Sequence, residues 1–184
     1  MTPPTPVDVI TTMRRRRMHR EFEDRPVPRE VLNVMAWGAV RAQQARPGVR
    51  HVVVVDDPAK MRAARQVLPG FINNAPAMIA LCTDVDRALE ALGPRGVEHV
   101  SRLDAGAAAA YLALIGQTVG IGVCTVTSWA DGIAAELLGL PDHIRPDVTV
   151  AVGFVPPRTP AAVKSLKYSV WSNEFGTPME VTRP

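Results

Sequence analysis

Apolar positions recur along this chain at two spacings, and between them they predict nearly every element. Val7, Ile10 and Met13 fall on one face of a helix running from Val7 to about Arg17. Pro28-Arg29-Glu30 opens a second helix, where a proline suits the first position. Val31, Leu32, Met35, Ala39 and Ala42 follow it at helical spacing, with Trp37 off the stripe and free to meet a partner chain. Val52 to Val55 is a run of β-branched residues, expected as a strand buried on both faces. A short helix from Pro58 to Val67 and a core strand from Ala77 to Cys82 come next. The longest helix is expected from Leu103 to Val119, its stretch Ala105 to Ala110 made almost wholly of small residues. Such residues permit close approach of another helix or of a flat ligand. Gly120-Ile121-Gly122 ends it, and Val123 to Thr127 forms a third strand. Asp131 to Leu138 is a helix closed by Gly139 and stopped by Pro141, and Val148 to Phe154 is a fourth strand. The stretch from Pro156 to Pro184 is proline-rich and weakly periodic, either disordered or wrapped around a second subunit. Helices and strands intermix, which argues α+β with a central sheet covered by helices.

Composition narrows the class. With 184 residues, 47% of them hydrophobic, the chain can bury one core and is expected as a single domain from residue 7 to 155. Residues 1–6, Met-Thr-Pro-Pro-Thr-Pro, read as a disordered tail without the apolar centre of a signal peptide. No stretch reaches the length of a membrane span, so a cytoplasmic protein without a membrane partner is expected. Cys82 and Cys124 lie in apolar runs and read as small buried hydrophobes, a disulfide between them being the minor reading. They make no metal site by themselves. His19, His51, His99 and His143 are scattered and read as surface or core-edge groups, not as catalytic bases. Gly120-Ile121-Gly122 follows a helix and precedes a strand, the reverse of a dinucleotide-binding turn.

The chemistry concentrates between Arg14 and Glu30. Arg14, Arg15, Arg16 and Arg17 are followed by Met18-His19-Arg20-Glu21-Phe22, and they account for much of the net charge of +3. Guanidinium groups at this density suit a built anion site such as a phosphate, or a solvated helix end. Both readings stay open on the run alone. Nucleic acid is disfavoured, because aromatic residues do not interleave and the other cations are dispersed.

The order of motifs resembles the nitroreductase family of FMN-dependent oxidoreductases. Arg16-Arg17-Met18-His19-Arg20-Glu21-Phe22 with Pro26-Val27-Pro28 resembles the family's opening Arg-Arg-Ser-x-Arg-x-Phe and Pro-Val-Pro. Asp104-Ala105-Gly106 through Leu112 and Leu114, then Gly120 to Cys124, Leu137 to Pro141 and Val150 to Gly153, match later pieces in order. The resemblance covers roughly residues 7 to 172.

It implies an α+β fold with a mainly antiparallel sheet, and a homodimer with shared FMN sites whose C-terminal extension, residues 156–184, wraps the partner. Arg16 would bind the FMN phosphate and Arg17 the ribityl chain or phosphate, partly through backbone. Arg20 would lie near the N1–O2 edge of the ring, and Thr127 and Ser128 would present backbone to N5. Lys164, with Lys167 as fallback, would close on the phosphate. NADH or NADPH would donate hydride and an electron-poor small molecule, a nitroaromatic or quinone, would then accept it, in ping-pong order. The family's serine is Met18 here, whose backbone could still serve, and its Asn-x-Gln-Pro-Trp stretch is eroded to Gln44-Ala45-Arg46-Pro47-Gly48. Gln44 keeps an amide for the pyrimidine edge of the ring, and Arg46 adds a cation near it. Trp37, Tyr111, Trp129 and Trp171 would each wall the substrate crevice or simply pack, Trp129 lying beside the N5 loop. These departures leave two further readings open: a flavin-dependent oxidase or dehydrogenase of a biosynthetic intermediate, and a non-catalytic FMN-binding or storage protein.

Overall fold

The computed structural model describes residues 8–68, 74–157 and 169–181. The helices are α1 (Val9–Arg15), α2 (Arg29–Arg41), α3 (Pro58–Val67), α4 (Val85–Arg95), α5 (Ser101–Thr118) and α6 (Asp131–Leu138). The strands are β1 (Arg50–Val55), β2 (Ala77–Asp84), β3 (Gly122–Val126) and β4 (Ile144–Gly153), and a π turn, Gly96–Val100, joins α4 to α5. The strands form one sheet in the order β1-β2-β4-β3, every neighbouring pair antiparallel.

The alternation of side chains along the strands divides the core in two. Ile79, Leu81, Val148, Val150, Val152 and Val123 point to one face and pack under Leu32, Met35 and Ala39 of α2 and Ala108, Leu112 and Ala113 of α5. Met78, Ala80, Cys82, Cys124, Val126 and Ala151 point to the other, under Met61 and Ala64 of α3 and Ala134 and Leu138 of α6. The result is three layers, helices over and under a sheet. Both cysteines are buried and free, as expected.

Local signals placed several elements. Asp57 caps α3 through a 2.8 Å bond from the Lys60 N–H, and proline follows at the first helical position. Gly139 ends α6 in the left-handed region at φ 66°, which a glycine adopts without the steric cost of a Cβ.

Three expectations are corrected. β1 is half-exposed along Val52 to Val54 and only Val55 is buried, because it is the edge of the sheet rather than a central strand. α4 and the π turn were not predicted; Asp84 caps α4 by accepting the Arg87 N–H at 2.9 Å, and Gly93, at φ 66°, breaks it before Pro94. β4 begins at Ile144, earlier than Val148, because a register shift opposite Leu81 and Cys82 lets Pro146 join the strand. Among the described residues no helix is long and apolar enough to cross a membrane, and no group of His, Cys, Asp and Glu is set to hold a metal.

Candidate functional site

The arginine run starts as helix and leaves it at once. Asp8 caps α1, its carboxylate accepting the N–H groups of Ile10 at 3.1 Å and Thr11 at 3.0 Å and the Thr11 hydroxyl at 2.6 Å. Those bonds, the hydroxyl first, hold the Asp8 carboxyl below its ordinary pKa. α1 ends at Arg15, two residues earlier than predicted, and Arg16 turns to extended backbone at ψ 132°. Arg17 folds its Nη1 back onto the carbonyl oxygens of Arg14 at 2.8 Å and Arg16 at 2.9 Å. It thereby satisfies acceptors that the helix end leaves open. Arg16 and Arg20 are exposed.

The segment that follows is pinned along the start of β3. Met18 forms a parallel bridge with Val123, and the His19 N–H donates to the Val123 carbonyl at 2.9 Å. Gly122 makes this approach possible, since a Cβ there would lie 3.1 Å from His19 Cβ and 2.2 Å from Val155 Cγ2. The Glu23 N–H then donates to the Phe154 carbonyl at 2.8 Å, beyond the end of β4. Phe22 is buried at 3% exposure in the core under α3 and α6. Asn74 brackets its backbone, donating to the Phe22 carbonyl at 2.5 Å and accepting its N–H at 3.3 Å. Met18 is 45% exposed, and its sulfur accepts Arg20 Nη2 at 3.4 Å. Burial raises the Cys124 thiol pKa behind this segment, with the Arg20 charge opposing.

Thr127 and Ser128 stand exposed just past the other end of β3. The strand's rise of about 3.3 Å per residue separates Thr127 from Val123 by about 13 Å. Trp129 is half-buried and its Nε1 donates to Asp131 Oδ1 at 3.0 Å, in the first turn of α6.

Gln44 and Arg46 lie elsewhere. They occupy the loop before β1, the opposite edge of the sheet from β3. Three interstrand steps of about 4.8 Å put about 14 Å between the two edges. Gln44 Oε1 accepts the Arg50 N–H at 3.4 Å, and Arg46 is exposed. One chain therefore sets the segment from Arg16 through Arg17 and Met18 to Arg20 beside the start of β3 and Thr127 and Ser128 past its other end, and leaves Gln44 and Arg46 at the opposite edge of the sheet. Lys164 and Lys167 lie outside the described residues.

A polar cluster outside the motifs legible in the sequence lies beside the Gln44 loop. The register shift in β4 skips Asp147 in the ladder with β2. Its carboxylate is buried, accepting Arg145 Nε at 2.8 Å and the Thr83 hydroxyl, with Arg102 at 3.9 Å. Arg145 Nη2 donates onward to the Val97 carbonyl at 3.1 Å and Ser101 Oγ at 3.0 Å, fastening the π turn to the sheet. A carboxylate before a run of strand residues was the one signal in the sequence, and it does not distinguish a buried acid from an exposed one. Asn74 and Arg50 had no signal of their own, because their partners are distant in the chain or are backbone.

Residues 43–154 match the sequence profile of the Nitroreductase family. An NADH dehydrogenase from Thermus thermophilus is 27% identical, over 80% of this chain and 87% of that protein. An FMN reductase (NADPH) from Bacillus subtilis is 25% identical over 79% of this chain, which spans 65% of its length. An FMN-dependent nitroreductase from Clostridium difficile R20291 superposes with a TM-score of 0.76 at 25% identity, over 90% of this chain and 99% of that one. A nitroreductase family protein from Streptococcus pneumoniae TIGR4 shares the fold at a TM-score of 0.75 and 20% identity, over 85% of this chain and 95% of its own. With more than half of its residues matched and its three-layer fold shared, this chain belongs to the nitroreductase family.

Proposed function

We propose that the chain is an FMN-dependent oxidoreductase that takes electrons from NADH or NADPH and delivers them to an electron-poor small molecule, such as a nitroaromatic or a quinone. The observation that carries the reading is the arginine segment tied to the start of β3 in a chain of this family. FMN, when bound, supplies a two-electron carrier between donor and acceptor.

The donor set fits that group. Exposed guanidinium groups suit a phosphate dianion and require no buried charge before it arrives. Arg16 would hold the phosphate. Arg17 would add charge and backbone, since its Nη1 is engaged at the end of α1. Met18 would offer backbone, its sulfur being engaged by Arg20. Arg20 would favour added electron density on the ring. Thr127 and Ser128, just past the end of β3, would present backbone to the ring. The proton for reduction would come from water or substrate.

The same reading makes the protein a cytoplasmic homodimer without nucleic-acid partners. Gln44 and Arg46, remote from Arg16 within one chain, would then serve the partner's site. The 156–184 extension, with Lys164 and Lys167, would wrap the other subunit. Uncovered apolar groups support this: Trp37 on α2 and Leu103 on α5 are 62% and 58% exposed.

The test is an absorbance spectrum of the purified protein before and after anaerobic NADH or NADPH. Flavin bands that bleach are expected. Bands that persist would turn the reading towards an oxidase or a non-catalytic flavin binder, and failure to take up added FMN would overturn it. Arg16→Ala is expected to weaken FMN binding about tenfold or more, from the roughly 1.5–3 kcal/mol of a charge-assisted hydrogen bond.

A further inference from the structure

We infer that Arg50 is a positioning residue for the proposed flavin site: clamped to carbonyls of α2, of the loop after it and of α5, its guanidinium sets where Gln44 and Arg46 stand. This rests on the flavin reading above. The loop from Ala42 to Val49 has no helix or strand of its own, and it carries both side chains expected against the ring. Such a loop opens readily unless something ties it.

Arg50, the first residue of β1, ties it from within. Its Nη1 donates to the carbonyl oxygens of Ala39 at 2.9 Å and Ala42 at 3.0 Å. Its Nη2 donates to the carbonyl of Gln43 and to that of Asp104 at 2.9 Å. The Arg50 N–H donates to Gln44 Oε1, and from α5 the Asp104 carboxylate accepts the Ala45 N–H at 2.7 Å. The far end of the loop is covered as well. Gly48 sits at φ 83° against the Arg87 guanidinium of α4, where a Cβ would lie 2.7 Å from Arg87 Cζ. Arg50 Nε is buried without a protein acceptor, beside a cavity of about 10 Å³ lined by Gln44, Thr83 and Ser101. A planar fork can reach four carbonyls on three segments; an ammonium cannot hold that geometry. Arg50 is on the β1 edge, away from Arg16 and Arg20, so it acts through the loop.

The experiment uses the full chain with Arg50→Gln, Arg50→Lys and, as a stability control, Ala64→Gly in α3 on the opposite face of the sheet. Hydrogen exchange of the amides at residues 43–46, 48 and 49 and the FMN dissociation constant are measured. Arg50→Gln and Arg50→Lys are expected to speed exchange in that loop at least tenfold and to weaken FMN about tenfold, while Ala64→Gly does neither. An FMN constant within twofold of wild type in Arg50→Gln, or an equal rise in Ala64→Gly, overturns the positioning role. Unchanged loop exchange overturns the clamp itself. Wild-type protein that takes up no FMN sinks the flavin reading, and the positioning role with it; the exchange data still decide the clamp. Should Arg50→Gln not fold, Asp104→Ala cuts the Ala45 tether and removes the carboxylate charge that favours the Arg50 guanidinium, while keeping the Asp104 carbonyl, and is expected to weaken FMN at least threefold, no change overturning the inference.

Discussion

Cys82 shows how far a residue's chemistry is set by its neighbours. It is 1% exposed in the central strand β2, and burial first, the Asp147 carboxylate second, push its thiol up to about 12. Both causes penalise the thiolate, so this thiol is inert as a nucleophile. In the unfolded chain it titrates near 9.0, so between that value and about 12 the unfolded state loses a proton that the folded state keeps. The folded protein then binds more protons, and stability falls as pH rises through the window. The expected outcome is full resistance to alkylation at pH 8 without denaturant, and an alkaline loss of stability that is shallower in Cys82→Ala. That variant should itself cost about 1 kcal/mol at pH 7 by loss of packing. Denaturant midpoints of the two proteins from pH 7 to 11 check both statements; parallel pH curves would show that Cys82 is not the group responsible.

At the scale of elements, α5 is the one on which the sheet depends. It contacts α2 along one side and lies on β3, β2 and β4 along another. Gly116 marks the closest approach, since a Cβ there would come within 2.8 Å of the Ile121 carbonyl oxygen and 2.9 Å of Val123 Cγ1. Backbone does not swing aside as the tip of a side chain does, so Gly116→Ala must shift the helix away from β3. It is expected to destabilise by about 1–3 kcal/mol despite alanine's better helix propensity. Gly132 in α6 has nothing within 4 Å of a Cβ, and Gly132→Ala is expected to stabilise by about 0.5–1 kcal/mol. Urea titrations of the two variants test the difference in sign. Because β3 also carries the Met18 bridge, the Gly116 variant should loosen the arginine segment too.

For the whole molecule, the unbalanced feature is apolar surface. α5 has apolar or small residues on both sides: Ala105, Ala108, Ala109 and Leu112 face the core, while Leu103, Gly106, Ala110 and Tyr111 face outward and are exposed. A helix apolar all round is ordinarily buried all round. Trp37, Val34 and Val40 extend the exposed apolar surface onto α2. A second copy of the chain would cover such a face by two-fold symmetry. Light scattering is expected to give about 40 kDa, twice the 19.9 kDa of one chain. Ala110→Glu, which sets a charge in the middle of that face, should give the monomer mass and lose bound FMN. A dimer that tolerates the glutamate would place its interface elsewhere.

The sequence by itself determined whatever one turn of helix or one strand can express. α3 and α6 were legible to the residue because Asp57-Pro58 and Gly139 act on backbone within a few positions. The arginine run and the ordered motifs identified the family. β2 was legible as a buried strand because Ala77 to Cys82 is apolar throughout and the strand is flanked on both sides in the sheet. The apolar run Val52 to Val55 misled for β1, since burial of an edge strand depends on neighbours that the strand does not encode. Pro146 hid the start of β4, because the bulge that accommodates it is a property of the pair. Only the tertiary structure decided what holds the candidate site in place. Phe22 meets Asn74 across 52 positions, Ala45 meets Asp104 across 59, and Arg50 finds backbone carbonyls, which carry no sequence signal. Hydrogen bonds to main chain can be made by any residue brought close enough, so which ones form is settled by packing.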